Sequence, residues 1–231
     1  MDFFKKSMLI WLVVSFIFWI FYIFAIEFSY QILYYFFIII VGLPVWIYRE
    51  KIKKKLVGWE MNRLGKFLIL GYGVVLFEEI FAALFNHLSE GFNFMLYLER
   101  VGQFWMFNIF AFTGFYFAWY FLLNRYKYSY TEVFFIAGSF GLFSEGVIFA
   151  IFSNPIGFIF MTPLVIFVYG LMITLPMLSI GLKGKKELRS WMKYVLSLLV
   201  IFLFSVIPIA ILVMLRANFP GFFPPVEFIP L

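Results

Sequence analysis

Runs of about 20 apolar residues, separated by short charged or polar segments, follow one another along most of this chain. That pattern restricts the fold more than any motif does. A helix needs roughly 20 apolar residues to cross about 30 Å of hydrocarbon, and only helices and closed barrels satisfy their own backbone groups there. Seven such runs fit, near 8–26, 30–48, 67–88, 103–123, 131–152, 156–180 and 194–215. The first is longer than the h-region of a signal peptide, roughly 7–15 residues, and no small-x-small cleavage site follows it, so it is expected to stay as an anchor. The expected fold is an all-α polytopic transmembrane helical bundle, a single domain over 1–231, in a multi-pass protein of the cell membrane. Composition agrees, because 65% hydrophobic and only 13% charged residues lie outside the range of a soluble domain.

Basic charge gives the orientation. With the N-terminus in the cytoplasm, the inner segments hold Lys5 and Lys6, then Arg49, Lys51, Lys53, Lys54, Lys55, Arg63 and Lys66, then Arg125 and Lys127, then Lys183, Lys185, Lys186, Arg189 and Lys193. Only Arg100 and Arg216 of the 18 basic residues fall outside, which predicts an N-in, C-out topology. The net charge of +6 therefore belongs to topology and not to nucleic-acid binding. The expected partners are the lipid bilayer and anionic lipid head groups at the basic cytoplasmic loops, where "REKIKKKL" offers about 1 kcal/mol per cation. The Pro-rich end, "RANFPGFFPPVEFIPL", is expected to lie at the outer interface as an anchor.

Against this apolar background "LFEEIFAALFNHL", residues 76–88, places two carboxylates, an asparagine and the one histidine of the chain in a single run. A charged side chain at mid-membrane costs roughly 2.5–3.5 kcal/mol on insertion scales, so an intramembrane carboxylate is a candidate functional group. Glu79 lies 13 residues past Lys66 and Glu145 lies 13 past Glu132. At 1.5 Å per residue both fall about 20 Å along their helices, near the bilayer middle. Asn108 reaches a similar level from the outer side, whereas His87 lies farther out. Glu78, Glu79, Asn108, Glu145 and His87 are the candidate site residues. Glu79 and Glu145 are expected to face inward, with Glu78 turned partly toward a neighbouring helix, since adjacent helical residues point about 100° apart. Glu145 shares a face with Gly138 and Gly141, whose small size admits a close helix neighbour. "LFEE" at 76–79 and "LFSE" at 142–145 match at an offset of 66 residues, a pattern open to an internal repeat. Each polar group has a structural alternative, an interhelical hydrogen bond that does no chemistry.

Residue inventory excludes several chemistries. No lysine falls within the seven predicted runs to carry a Schiff base, the one aspartate is Asp2, and a single histidine cannot build an HExxH zinc site. With no cysteine there is no thiol chemistry or disulfide framework. Ser139 is expected toward the cytoplasmic side and His87 toward the outer one, too far apart for proton transfer. No cofactor is indicated.

The Glu78-Glu79 pair, Phe104 to Asn108 in the next span and the polar Glu145 farther on resemble the CPBP family of glutamate-type intramembrane proteases, which includes the CAAX prenyl endopeptidases. The family signature is EExxxR, then FxxxH, then HxxxN; here Ala83 stands at the arginine position and Asn108 at the first histidine. The resemblance implies Glu79 or Glu78 as general base, Asn108 as a group that positions water or an oxyanion, Glu145 as a second carboxylate, and a membrane-embedded substrate. Two other readings stand beside it. Mid-membrane carboxylates on glycine-containing helices, with Pro163, Pro176 and Pro208 in later spans, also suit a proton- or cation-coupled small-solute transporter. The aromatic surface suits a non-catalytic membrane subunit.

Overall fold

The protein is described from a computed structural model covering residues 3–89, 91–180 and 184–223. Among the described residues nine α-helices follow in order: α1 (Phe3–Ala25), α2 (Tyr30–Ile47), α3 (Arg49–Val57), α4 (Arg63–Leu88), α5 (Phe94–Arg125), α6 (Tyr130–Ser144), α7 (Ala150–Ser153), α8 (Pro155–Ile180) and α9 (Ser190–Asn218). Among the described residues six of these are long and apolar enough to cross a membrane, or seven if the bent α6–α7 unit is counted as one span. The protein is thus an all-α polytopic bundle.

Short polar side chains start the helices where the apolar pattern begins. Ser29, Asn62, Asn93 and Ser129 each accept from a backbone N–H in the first turn of α2, α4, α5 and α6. Ser129 and Glu132 form a reciprocal capping box. Asn154 accepts from the Gly157 N–H at 2.9 Å, and Pro155 occupies the first position of α8, where its missing N–H is harmless.

Three features differ from the sequence expectation. The run 131–152 is not one helix: α6 ends at Ser144 and the chain turns by 73° before a 3-10 turn, Val147–Phe149, and α7. Gly146 causes the turn, since its φ of 68° is left-handed and ends a helix. The basic loop after α2 is helical over α3, whose C-terminal carbonyls of Leu56 and Val57 accept from the buried Lys66 ammonium. Finally, α5 begins at Phe94 and not near 103.

α8 is the central element, buried along most of its length and packed on α6, α4, α1 and α2. Glycine makes this closeness available on α6: a Cβ on Gly138 would fall 2.8 Å from the Ile166 carbonyl oxygen, and one on Gly141 would enter the Tyr169 ring. Gly170 of α8 answers them, seated against the Phe134 ring. Lipid tails are as apolar as leucine, so backbone approach and van der Waals contact, more than water exclusion, hold such helices together.

The basic helix ends gather at one face of the bundle. Arg63 forks onto the Ile180 carbonyl (2.8 and 3.1 Å) and the Asn124 amide oxygen (2.9 Å), tying the start of α4 to the ends of α8 and α5. Lys193 of α9 pairs with Glu132 of α6 at 2.8 Å, and Tyr128 shares a 2.9 Å hydrogen bond with Ser197. Burial lifts the Tyr128 phenol above its ordinary pKa. The two connections at this face also pair as backbone, Lys127 N–H to the Lys186 carbonyl at 2.9 Å. At the opposite end Arg100 donates to Asn86 at 2.6 Å. The C-terminal stretch is described only to Phe223, which is buried near Phe110 of α5; residues 224–231 of the expected interfacial anchor lie outside the described residues.

Because the native chain has no cysteine, single cysteines report sidedness directly. Cysteines at Lys54 and Lys186 are expected to resist an impermeant thiol reagent in intact cells while one at Phe222 is labelled. Labelling at Lys54 would reverse the orientation.

Candidate functional site

Glu78 and Glu79 lie in the C-terminal half of α4, about 22 and 24 Å along a continuous helix from Arg63. Helix rotation is set by the neighbours: Phe67, Gly71 and Val75 are buried, and Gly71 meets the Tyr116 ring of α5, whose hydroxyl donates to the Gly71 carbonyl at 2.7 Å. This rotation buries Glu78 (7% exposed) and leaves Glu79 half-buried beside α5. The order of burial is the reverse of the expectation, under which Glu79 was the inward residue. The reason is that Glu78, and not Glu79, continues the buried stripe that runs through Gly71 and Val75.

The two carboxyl groups are neighbours close enough to interact with each other. On the other side of Glu79, the buried Asn108 amide of α5 donates to the Glu79 carboxyl. Glu78 keeps one oxygen, Oε2, that is buried and has no hydrogen-bond partner among the described residues. Most buried polar atoms in folded proteins find a partner, so an orphan on a carboxyl group needs an explanation.

Glu145 caps the C-terminus of α6 at the bend and accepts from the Tyr169 hydroxyl of α8. It lies close enough to Glu78 and Glu79 to act on both electrostatically. Tyr35 of α2, 5% exposed, stands within the same range of Glu145 and Tyr169, and Tyr116 within that of Glu78. Glu79 and Asn108 are therefore joined by a hydrogen bond, with Glu78, Glu145 and a layer of phenols beside them. The "LFEE" and "LFSE" segments differ locally, since Glu79 lies inside a helix and Glu145 terminates one.

His87 does not join the cluster. Its Nε2 accepts from the Asn93 N–H at 2.8 Å, and its ring lies near Phe92 and Tyr97, so it fastens the α4–α5 turn. Ser139, Ser144 and Thr113 donate to carbonyls within their own helices, and none is placed as an activated nucleophile by these bonds. Among the described residues no group of three or more His, Cys, Asp or Glu side chains is arranged to hold a metal ion.

Tyr35 and Tyr169 had no distinguishing signal in the sequence. Both are aromatic residues in apolar runs, two of 14 tyrosines. Only the α6 bend, which presents Glu145 to α8, selects Tyr169. No protein-family model, curated protein or solved structure matches the chain.

Proposed function

We propose that Glu78, Glu79 and Asn108 form the acid–base centre of a membrane-embedded enzyme of hydrolytic type, acting on a substrate that reaches it from the bilayer. The observation that carries this reading is the orphaned Glu78 oxygen beside a Glu79–Asn108 pair. In the proposed reaction the Glu78–Glu79 pair takes a proton from water, the water oxygen bonds to the substrate's carbonyl carbon, and the second Asn108 N–H steadies the developing oxyanion. The proton then passes to the leaving group as its bond to that carbon breaks. Asn108 stands where the CPBP pattern has its first histidine, so in this reading base and proton donor are both carboxyl. Glu145 and Tyr169 supply a second carboxyl–phenol pair beside the centre. The basic face carrying α3 is assigned to anionic head groups, which fits its four lysines and one arginine over nine residues.

A second reading, a proton- or cation-coupled carrier, is favoured by one observation, the 73° bend at Gly146 immediately after Glu145. Broken helices that bring a carboxylate to the membrane interior are what such carriers use.

Glu79→Gln tests both, because it keeps the shape and removes the titratable proton. The variant is expected to reach the membrane, to melt within a few degrees of the native protein, and to fail in complementing deletion of the gene. Full complementation would remove any acid–base role. Proteoliposomes loaded with a pH dye separate the readings: proton flux lost in Glu79→Gln identifies a carrier, and silence with native protein favours the hydrolytic centre.

A further inference from the structure

At the basic face a crevice of about 50 Å³ opens between α1, α2, α6 and α8. Its walls include Met8, Val45, Phe134, Leu171 and Leu178, all apolar, and Arg49 lies at its rim. Arg49 is half-buried over the Trp46 ring, with one nitrogen donating to the Trp46 carbonyl at 2.9 Å. That leaves most of the five guanidinium donors for other acceptors. Lys53 lies four residues on, on the same face of α3, with its ammonium 5.4 Å from the centre of the Tyr130 ring, itself part of the crevice wall. Among the described residues no acidic side chain forms an ion pair with Arg49 or Lys53.

We infer that this crevice is a seat for one anionic glycerophospholipid, with an acyl chain against the Phe134–Leu171 walls and its phosphate between Arg49 and Lys53. Charge complementarity selects the occupant: an apolar slot whose rim carries two cations on one helix face suits a ligand with an apolar tail and an anionic head. A zwitterionic lipid brings its own cation to the same rim and loses the preference. The inference is independent of the carboxylate chemistry, since the crevice lies at the basic end of α6 and Glu145 at the other.

Native mass spectrometry of the full chain, titrated with phosphatidylglycerol and phosphatidylcholine of the same acyl chains, tests it. One phosphatidylglycerol is expected to be retained under conditions that strip the rest, about tenfold more strongly than phosphatidylcholine. Arg49→Gln and Lys53→Gln are each expected to weaken it about fivefold. Thr174→Phe, which fills the crevice from α8 and alters only a bond within that helix, is expected to abolish retention with both cations intact. Equal retention of the two lipids means annular lipid only and overturns the seat. So does a preference that survives both cation substitutions, or one indifferent to Thr174→Phe. Displacement by millimolar inorganic phosphate would make it a free-phosphate site and overturn the tail's place in it. The lipid preference of the native protein is itself decisive should a variant fail to fold.

Discussion

Gly114→Val is expected to prevent α5 and α9 from pairing and to lower stability by about 3 kcal/mol or more. A Cβ at Gly114 would lie 2.6 Å from both the Phe204 carbonyl oxygen and the Ser205 nitrogen. These are backbone atoms inside a helix, so no side-chain rotation relieves the overlap. The helices must move apart, and in lipid they have no water-exclusion term to draw them back. Gly71→Ala is expected to be milder, because it meets the Tyr116 ring and not backbone. Gly73→Val is the control: nothing lies within 4 Å of its Cβ, so it is expected to be silent. Thermal unfolding in one detergent, with size exclusion for monodispersity, orders the three. A Gly114→Val protein as stable as Gly73→Val would show that α5 and α9 do not pack as described.

The glycines show what a linear reading of such a chain captures. The apolar runs were legible because lipid imposes one demand, length without charge, on every span. Gly138 and Gly141 were legible as a contact face because their helical spacing places them in one direction. Gly146 was not, since a lone glycine five residues past Gly141 sits inside an unbroken apolar run, and only its positive φ makes it a bend. α3 was hidden for the opposite reason. Its nine residues are too polar to show an apolar stripe, and the carbonyl cap that ends it comes from Lys66, across an intervening turn.

The same limit applied at the site. That carboxylates lie inside the bundle followed from sequence, but which of two adjacent glutamates is deeper depends on how α4 is rotated. Rotation is decided by contacts such as Gly71 against Tyr116, 45 residues away in the chain. Asn108 could be placed near Glu79 by depth alone. The capture of Glu145 by Tyr169 could not, because it needs the α6 bend.

Glu78→Leu and Asn108→Leu are expected to move stability in opposite directions, and that sign separates function from glue. Glu78 Oε2 is buried without a partner, a condition that costs about 1–3 kcal/mol. Leucine removes the orphan and leaves the Glu79–Asn108 bond in place, so the variant is expected to be about 1 kcal/mol more stable than the native protein. Asn108→Leu strands the Glu79 carboxyl instead and is expected to lose roughly 0.6–2 kcal/mol, the range of interhelical hydrogen bonds in lipid. Both are expected to fail in complementation. A residue whose removal strengthens the fold and ends the activity is held there by function, the usual trade at an active site. Were Glu78→Leu instead to destabilise the bundle while complementing fully, Glu78 would be a structural group, and the acid–base centre would have to be assigned without it.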